Sequence, residues 1–136
     1  MTDKMDLGNL TSPLNLALIL VIGYVVIELR DFTPKELAEF NGIDGKPIYL
    51  AVCGKVFDVS SKPDFYGPGS MYENFSGRDA SRGLAKNSFD PSVLTDVDLP
   101  IDKLDNLAAE EKNSLEEWFQ FFSGKYTCIG QLVENK

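Results

Sequence analysis

The sequence predicts a small α+β domain behind an apolar segment long enough to cross a thin membrane. Three observations carry that prediction. A chain of 136 residues, 43% apolar and 25% charged, has the length and composition of one globular domain with a real core. No charge appears between Asp6 and Glu28. Beyond that stretch, helix and strand signals follow one another without the alternation of βαβ units.

Taken in order, residues 1–9 form a short leading segment and residues 10–29 the anchor, with the domain at 30–136. Leu14–Ile27 reads "LNLALILVIGYVVI", and Leu10–Ile27 as a helix would be about 27 Å long, enough for a thin bilayer. A cleaved signal peptide is the rival reading, but no small-residue cleavage site follows and the chain runs directly into Glu28-Leu29-Arg30-Asp31. A buried core helix is the other, and it would need cover on all sides. Arg30 and Lys35 after the span, against Lys4 before it, give a slight bias toward a cytosolic C-terminal domain.

"TPKE" at Thr33–Glu36 is a capping box with proline at the first helical position, and the helix is expected to end at Asn41-Gly42. "PIYLAVCGKVFDV" holds two apolar runs meeting at Cys53-Gly54-Lys55, which predicts a β-hairpin. A Gly67-Pro68-Gly69 turn follows, with Tyr66 and Tyr72 on its two ends. "RDASRGLAK" predicts a short helix capped by Asp79, which would put Arg78, Arg82 and Lys86 on one face toward anionic groups such as propionates. A Pro- and Asp-rich connection leads to a helix over about Ala108–Phe122 with Leu115, Trp118, Phe119 and Phe122 in one stripe, and "YTCIGQLV" closes as a strand.

Composition excludes several functions. The net charge is -8, against nucleic-acid binding, which needs a basic face. Nine Asp or Glu between Asp90 and Glu117 face only Lys103 and Lys112, a solvated face or a dock for a basic partner. Cys53 and Cys128 lack metal-site or disulfide spacing and read as reduced thiols in the core. The chain has no histidine, so neither a Ser-His-Asp nor a Cys-His nucleophile can form, nor a histidine-ligated zinc. "GIDGKP" lacks the spacing of a phosphate loop. The donor left for a hard ferric ion is a tyrosine phenolate, which is known to ligate haem iron, although tyrosines in such loops are more often simply packed.

"FTPKELAEFNG", "KPIYLAVCGKVFDVS", "FYGP", "GRDASRGLA" and the Lys125-Tyr126 pair in "KYTCIGQL" together resemble the membrane-associated progesterone receptor component family over Asp31–Val133. "TSPLNL" at Thr11–Leu16 is similar to the opening of the span in animal members. The resemblance implies a cytochrome b5-like fold that lacks the two haem-ligating histidines of cytochrome b5. It implies Tyr72 as the axial ligand of haem b iron, Tyr66 in the same pocket, and Lys125 and Tyr126 bonded to a propionate and to the ligand tyrosine. Asp79 is similar to a position in the haem and steroid region, with Arg78 and Arg82 beside it. The family is endoplasmic-reticulum-associated and supports haem-thiolate monooxygenases of the cytochrome P-450 type. Steroid binding, haem trafficking and pairing through stacked haems are also attributed to it. The implied function is a membrane-anchored adaptor that is not an enzyme. An electron carrier and a steroid- or lipid-binding module are the alternatives. Two departures stand out: the long polar linker common in relatives is missing between Ile27 and Phe32, and Met71 replaces the usual proline before the ligand tyrosine, where it is expected to pack.

Overall fold

The computed structural model describes residues 29–136. The proposed span at 10–29 lies, but for Leu29, outside them, and no helix among the described residues is long and apolar enough to cross a membrane.

Four strands form one mixed sheet in the order β1-β4-β3-β2. They are β1 (Arg30–Phe32), β2 (Tyr49–Val52), β3 (Lys55–Asp58) and β4 (Thr127–Leu132). β1 runs parallel to β4, and the other pairs are antiparallel. Thus the C-terminal strand is inserted between the hairpin and the first described residues, which ties the two ends of the domain together. β1 had no sequence signal of its own: three residues beside the apolar run are fixed by pairing with β4, not by propensity.

The β2–β3 hairpin forms as expected, with Tyr49 opposite Asp58 and Val52 opposite Lys55. Its two-residue turn places Cys53 at φ 52° and Gly54 at φ 79°, the left-handed pair that a tight hairpin requires. Cys53 is therefore exposed at the turn, not in the core, and Cys128 is half-buried. Alternation along the hairpin splits the apolar residues between two faces. Leu50, Val52, Phe57 and Val59 face the main core, while Ala51 and Val56 join Phe32 and Leu37 in a smaller cluster behind the sheet.

Helix α1 (Pro34–Leu37) begins in the expected capping box, with Glu36 N donating to Thr33 Oγ1 at 3.1 Å and Thr33 N to Glu36 Oε1 at 2.9 Å. It is one turn long; Gly42, at φ 80°, ends the turn region that follows. Helix α2 (Pro63–Tyr66) opens the Gly-Pro-Gly loop, and helix α3 (Ser81–Ala85) follows it. Asp79 does not cap α3 as expected. The cap position is Ala80, and Asp79 instead accepts from Ser81 N at 3.1 Å and Ser81 Oγ at 2.6 Å. The reason is that 78–80 extends the sheet, with Ala51 N donating to Arg78 O and Ala80 N to Ala51 O. Helix α4 (Ala109–Lys125) runs to within one residue of β4, three residues past its expected end. Leu115 and Phe122 are buried on it, and Trp118 and Phe119 pack against the same core.

Candidate functional site: an aromatic cleft

The Gly-Pro-Gly loop is closed by its own backbone. Tyr72 N donates to Phe65 O at 3.0 Å, and Ser70 Oγ donates to Gly67 O at 2.6 Å. A Cβ at Gly67 would come within 2.6 Å of Pro63 O, so the chain leaves α2 this tightly only with glycine there. Tyr66 and Tyr72 are thereby brought back beside one another, with ring centroids 6.0 Å apart and planes tilted by 36°.

Both tyrosines line a cleft of about 430 Å³. Phe65 and Phe75 complete the loop side, Leu84 and Phe89 come from α3 and the segment after it, and Trp118, Phe121, Lys125 and Tyr126 come from the end of α4. The continuation of α4 past Phe122 is what delivers Lys125 and Tyr126. Tyr126 packs 5.4 Å from Phe122 and edge-on to Tyr66 at 6.3 Å. Burial raises the Tyr66 phenol well above its ordinary range, and the neighbouring Tyr126 hydroxyl adds to the effect. Burial raises Tyr126 as well, partly offset by Tyr66. Both phenols stay protonated at physiological pH. Tyr72 is only half-buried, with its ring between the loop and Phe89. Lys125 is exposed at the rim, its ammonium 5.9 Å from the Phe121 ring.

The cleft collects four of the residues singled out by sequence: Tyr66, Tyr72, Lys125 and Tyr126. Arg78, Asp79 and Arg82 do not line it. Arg78 Nη2 donates to Thr95 O at 2.5 Å, and Arg82 grips Asp102 through Nε and Nη2 at 2.6 and 2.9 Å. Lys86 pairs with Glu111 at 2.9 Å. Fourfold spacing suggested a common face toward a ligand, but Arg78 precedes the helix, Arg78 and Arg82 hold the acidic connection onto the domain, and Lys86 pairs with Glu111 on α4. Met71 is 65% exposed, so the expected packing is absent and its thioether does not line the cleft. The sequence reading passed over Phe65, Phe75, Phe89 and Phe121. Their signal was apolar character alone, which cannot distinguish a core side chain from a cleft wall.

The Arg82–Asp102 pair makes a pH prediction. The Arg82 hydrogen bonds hold the Asp102 carboxyl below its ordinary value. A depressed carboxyl contributes stability above its unfolded pKa of about 3.9 and loses it as pH falls through the lower folded value. Asp102→Asn should cost about 1–3 kcal/mol at pH 7. Urea unfolding at a series of pH values should show that gap shrinking below about pH 4; a gap constant with pH would mean that the carboxylate's charge is not what matters.

The family profile described as "Cytochrome b5-like Heme/Steroid binding domain" matches residues 33–133. The chain belongs to this family. It is 45% identical over 107 residues to "Cytochrome P450 regulator dap1" of Schizosaccharomyces pombe, covering 78% of this chain and 64% of that one. It is 43% identical over 105 residues to human "Membrane-associated progesterone receptor component 2", covering 77% of this chain and 46% of that one. The chain therefore spans less than two thirds of the length of either relative. A solved Arabidopsis thaliana structure, described as having a cytochrome b5 like fold, superposes with a TM-score of 0.68 at 39% identity, covering 79% of this chain and 94% of its own. As a member of the cytochrome b5-like family, the domain has the α+β fold the sequence predicted.

The residues of the cleft suit haem. Its volume lies within the roughly 300–1,000 Å³ of small-molecule sites. Aromatic walls match a flat macrocycle, an exposed rim cation can meet a carboxylate edge, and Tyr72 is the lining phenol that is half-open to solvent.

Proposed function

We propose that this chain is a haem-binding adaptor, not an enzyme, in which Tyr72 holds the iron of haem b. The observation that carries the reading is the convergence of Tyr66, Tyr72, Tyr126 and Lys125 on one aromatic cleft from segments that lie up to sixty residues apart. A phenolate from Tyr72 would favour the ferric state of iron held there. Tyr66 and Tyr126 would stay protonated, as buried phenols do, and donate hydrogen bonds to the ligand oxygen and to propionate. Lys125 would neutralise a propionate at the rim. Titration of hemin into the purified chain, followed by visible absorption, tests the reading. A high-spin ferric spectrum with a phenolate charge-transfer band is expected, and a six-coordinate low-spin spectrum would overturn it.

The partner class we propose, haem-thiolate monooxygenases, rests on the relative named a cytochrome P450 regulator. The anchor at 10–29 would hold the domain at the endoplasmic reticulum membrane, facing the cytosol. A steroid is the second reading, favoured by the apolar lining of the cleft and by the family's description. Binding of a steroid to the apoprotein, lost on hemin addition, would support it.

Two further outcomes follow. Phe65, Phe89 and Phe121 line the cleft while remaining 48%, 46% and 46% exposed, an apolar rim that seeks cover. The protein in detergent should sediment as a monomer without haem and as a symmetric dimer with it, and carbon monoxide on reduced protein should dissociate the pair. A holo form still monomeric at tens of micromolar, about where weak symmetric dimers appear, would contradict this. Asn74-Phe75-Ser76 is a glycosylation sequon, as is Asn9-Leu10-Thr11. The Asn74 amide is engaged with Phe89 O, and a cytosolic domain is out of reach of the lumenal enzyme that glycosylates asparagine sequons. Mass spectrometry of protein from cells should find Asn74 bare; a glycan there would reverse the topology.

A further inference from the structure

We propose that Phe89, tied down by Asn74, is the positioning residue that fixes the ring of Tyr72. The Tyr72 ring has three aromatic neighbours. Tyr66 lies 6.0 Å away, Phe75 lies nearly parallel at 6.3 Å, and Phe89 stands edge-on at 5.6 Å with planes at 88°. Tyr66 and Phe75 are core residues, 7% and 3% exposed. Phe89 differs in kind: it is 46% exposed, so burial does not hold it in place.

Polar bonds hold it instead. Asn74 Nδ2 donates to the carbonyl of Phe89. Asn74 belongs to the 3₁₀ turn Glu73–Phe75 that follows Tyr72 directly, so this one amide joins the Tyr72 turn to the segment that carries Phe89. From the other side, Ser88 N donates to Gly83 O at 2.8 Å, and Trp118 Nε1 donates to Asn87 Oδ1 at 3.3 Å. The Asn74 Oδ1 atom is buried without a partner. A buried unpaired acceptor is costly, so the tie to Phe89 is kept at the expense of that oxygen. The outcome is a half-exposed phenyl ring whose edge faces a phenol, the geometry aromatic pairs prefer. Phe89 thereby restrains the Tyr72 ring where both line the cleft.

The consequence for haem rests on the reading of Tyr72 as iron ligand; the consequence for the Tyr72 ring does not. Both are read on the full-length chain in detergent micelles. Without haem, three-bond couplings across the Tyr72 Cα–Cβ bond should report one rotamer in the wild type and averaged rotamers in Phe89→Ala and Asn74→Ala. Phe121→Ala is the control, since Phe121 is equally exposed in the same cleft but its ring partners are Trp118, Phe122 and Tyr126. It should leave the Tyr72 couplings alone. With hemin, Phe89→Ala should raise the dissociation rate about five- to tenfold, the size of one edge-to-face contact, and shift the phenolate charge-transfer band. Phe89→Tyr, which keeps the ring, should restore both. If Phe89→Ala does not fold, Phe89→Leu gives the same coupling readout. Unchanged Tyr72 couplings in the Phe89 variants, or equal changes in Phe121→Ala, overturn the proposal. Averaged couplings in Phe89→Ala together with a wild type lacking any phenolate band would leave the positioning intact and remove Tyr72 as ligand.

Discussion

Tyr72→Phe is expected to weaken hemin binding by more than about 100-fold, because outer-shell partners alone are typically worth ~10–100-fold to a metal and, on the proposed function, this change removes the ligand atom itself. The charge-transfer band should vanish with it. The substitution deletes one oxygen from a half-buried ring whose neighbours are aromatic, so the apoprotein should melt within a few degrees of wild type. Met71→Leu is the matching control. Its thioether is exposed and outside the cleft lining, so spectrum and affinity should be unchanged. Retention of the band in Tyr72→Phe, with its loss in Tyr66→Phe or Tyr126→Phe, would move the ligand to one of the buried phenols.

Gly130→Ala should be the most destabilising glycine-to-alanine change among the described residues. A Cβ at Gly130 would lie 2.0 Å from Arg30 O and 2.8 Å from the Phe32 ring. Arg30 is its register partner in the parallel β1–β4 pair, and Val56 is its partner on the other side. The obstacle is backbone, so no rotamer change relieves it, and the sheet must part where the two ends of the domain meet. The cost should be about 3 kcal/mol, the upper end for overpacking. Gly124→Ala serves as a control in helix α4, where an added Cβ meets nothing within 4 Å. That change should stabilise by about 0.5–1 kcal/mol. Urea midpoints of the two variants moving in opposite directions would support the assignment; a neutral Gly130→Ala would mean that β1 is not held against β4.

Several parts of this protein were legible in the sequence because their causes are local. The Thr33–Glu36 capping box closes within four residues, and the hairpin turn at Cys53-Gly54 needs only one left-handed pair between two apolar runs. With no histidine in the chain, tyrosine is the donor left for ferric iron, and the Gly-Pro-Gly spacing puts Tyr66 and Tyr72 on one loop. Tertiary structure alone decided the rest, since it depends on what lies opposite each residue in space. Arg78, Arg82 and Lys86 repeat every four residues, yet Arg78 and Arg82 bond Thr95 and Asp102 of the acid-rich connection and Lys86 bonds Glu111 on α4, because α3 buries its apolar residues and leaves its charges to the surface. β1 exists only because β4 pairs with it. Phe65, Phe75, Phe89, Trp118 and Phe121 looked like any other apolar residues until three distant segments converged. A wall becomes a cleft only when the opposite side is left unfilled, and one-dimensional periodicity records which residues avoid water, not where packing stops.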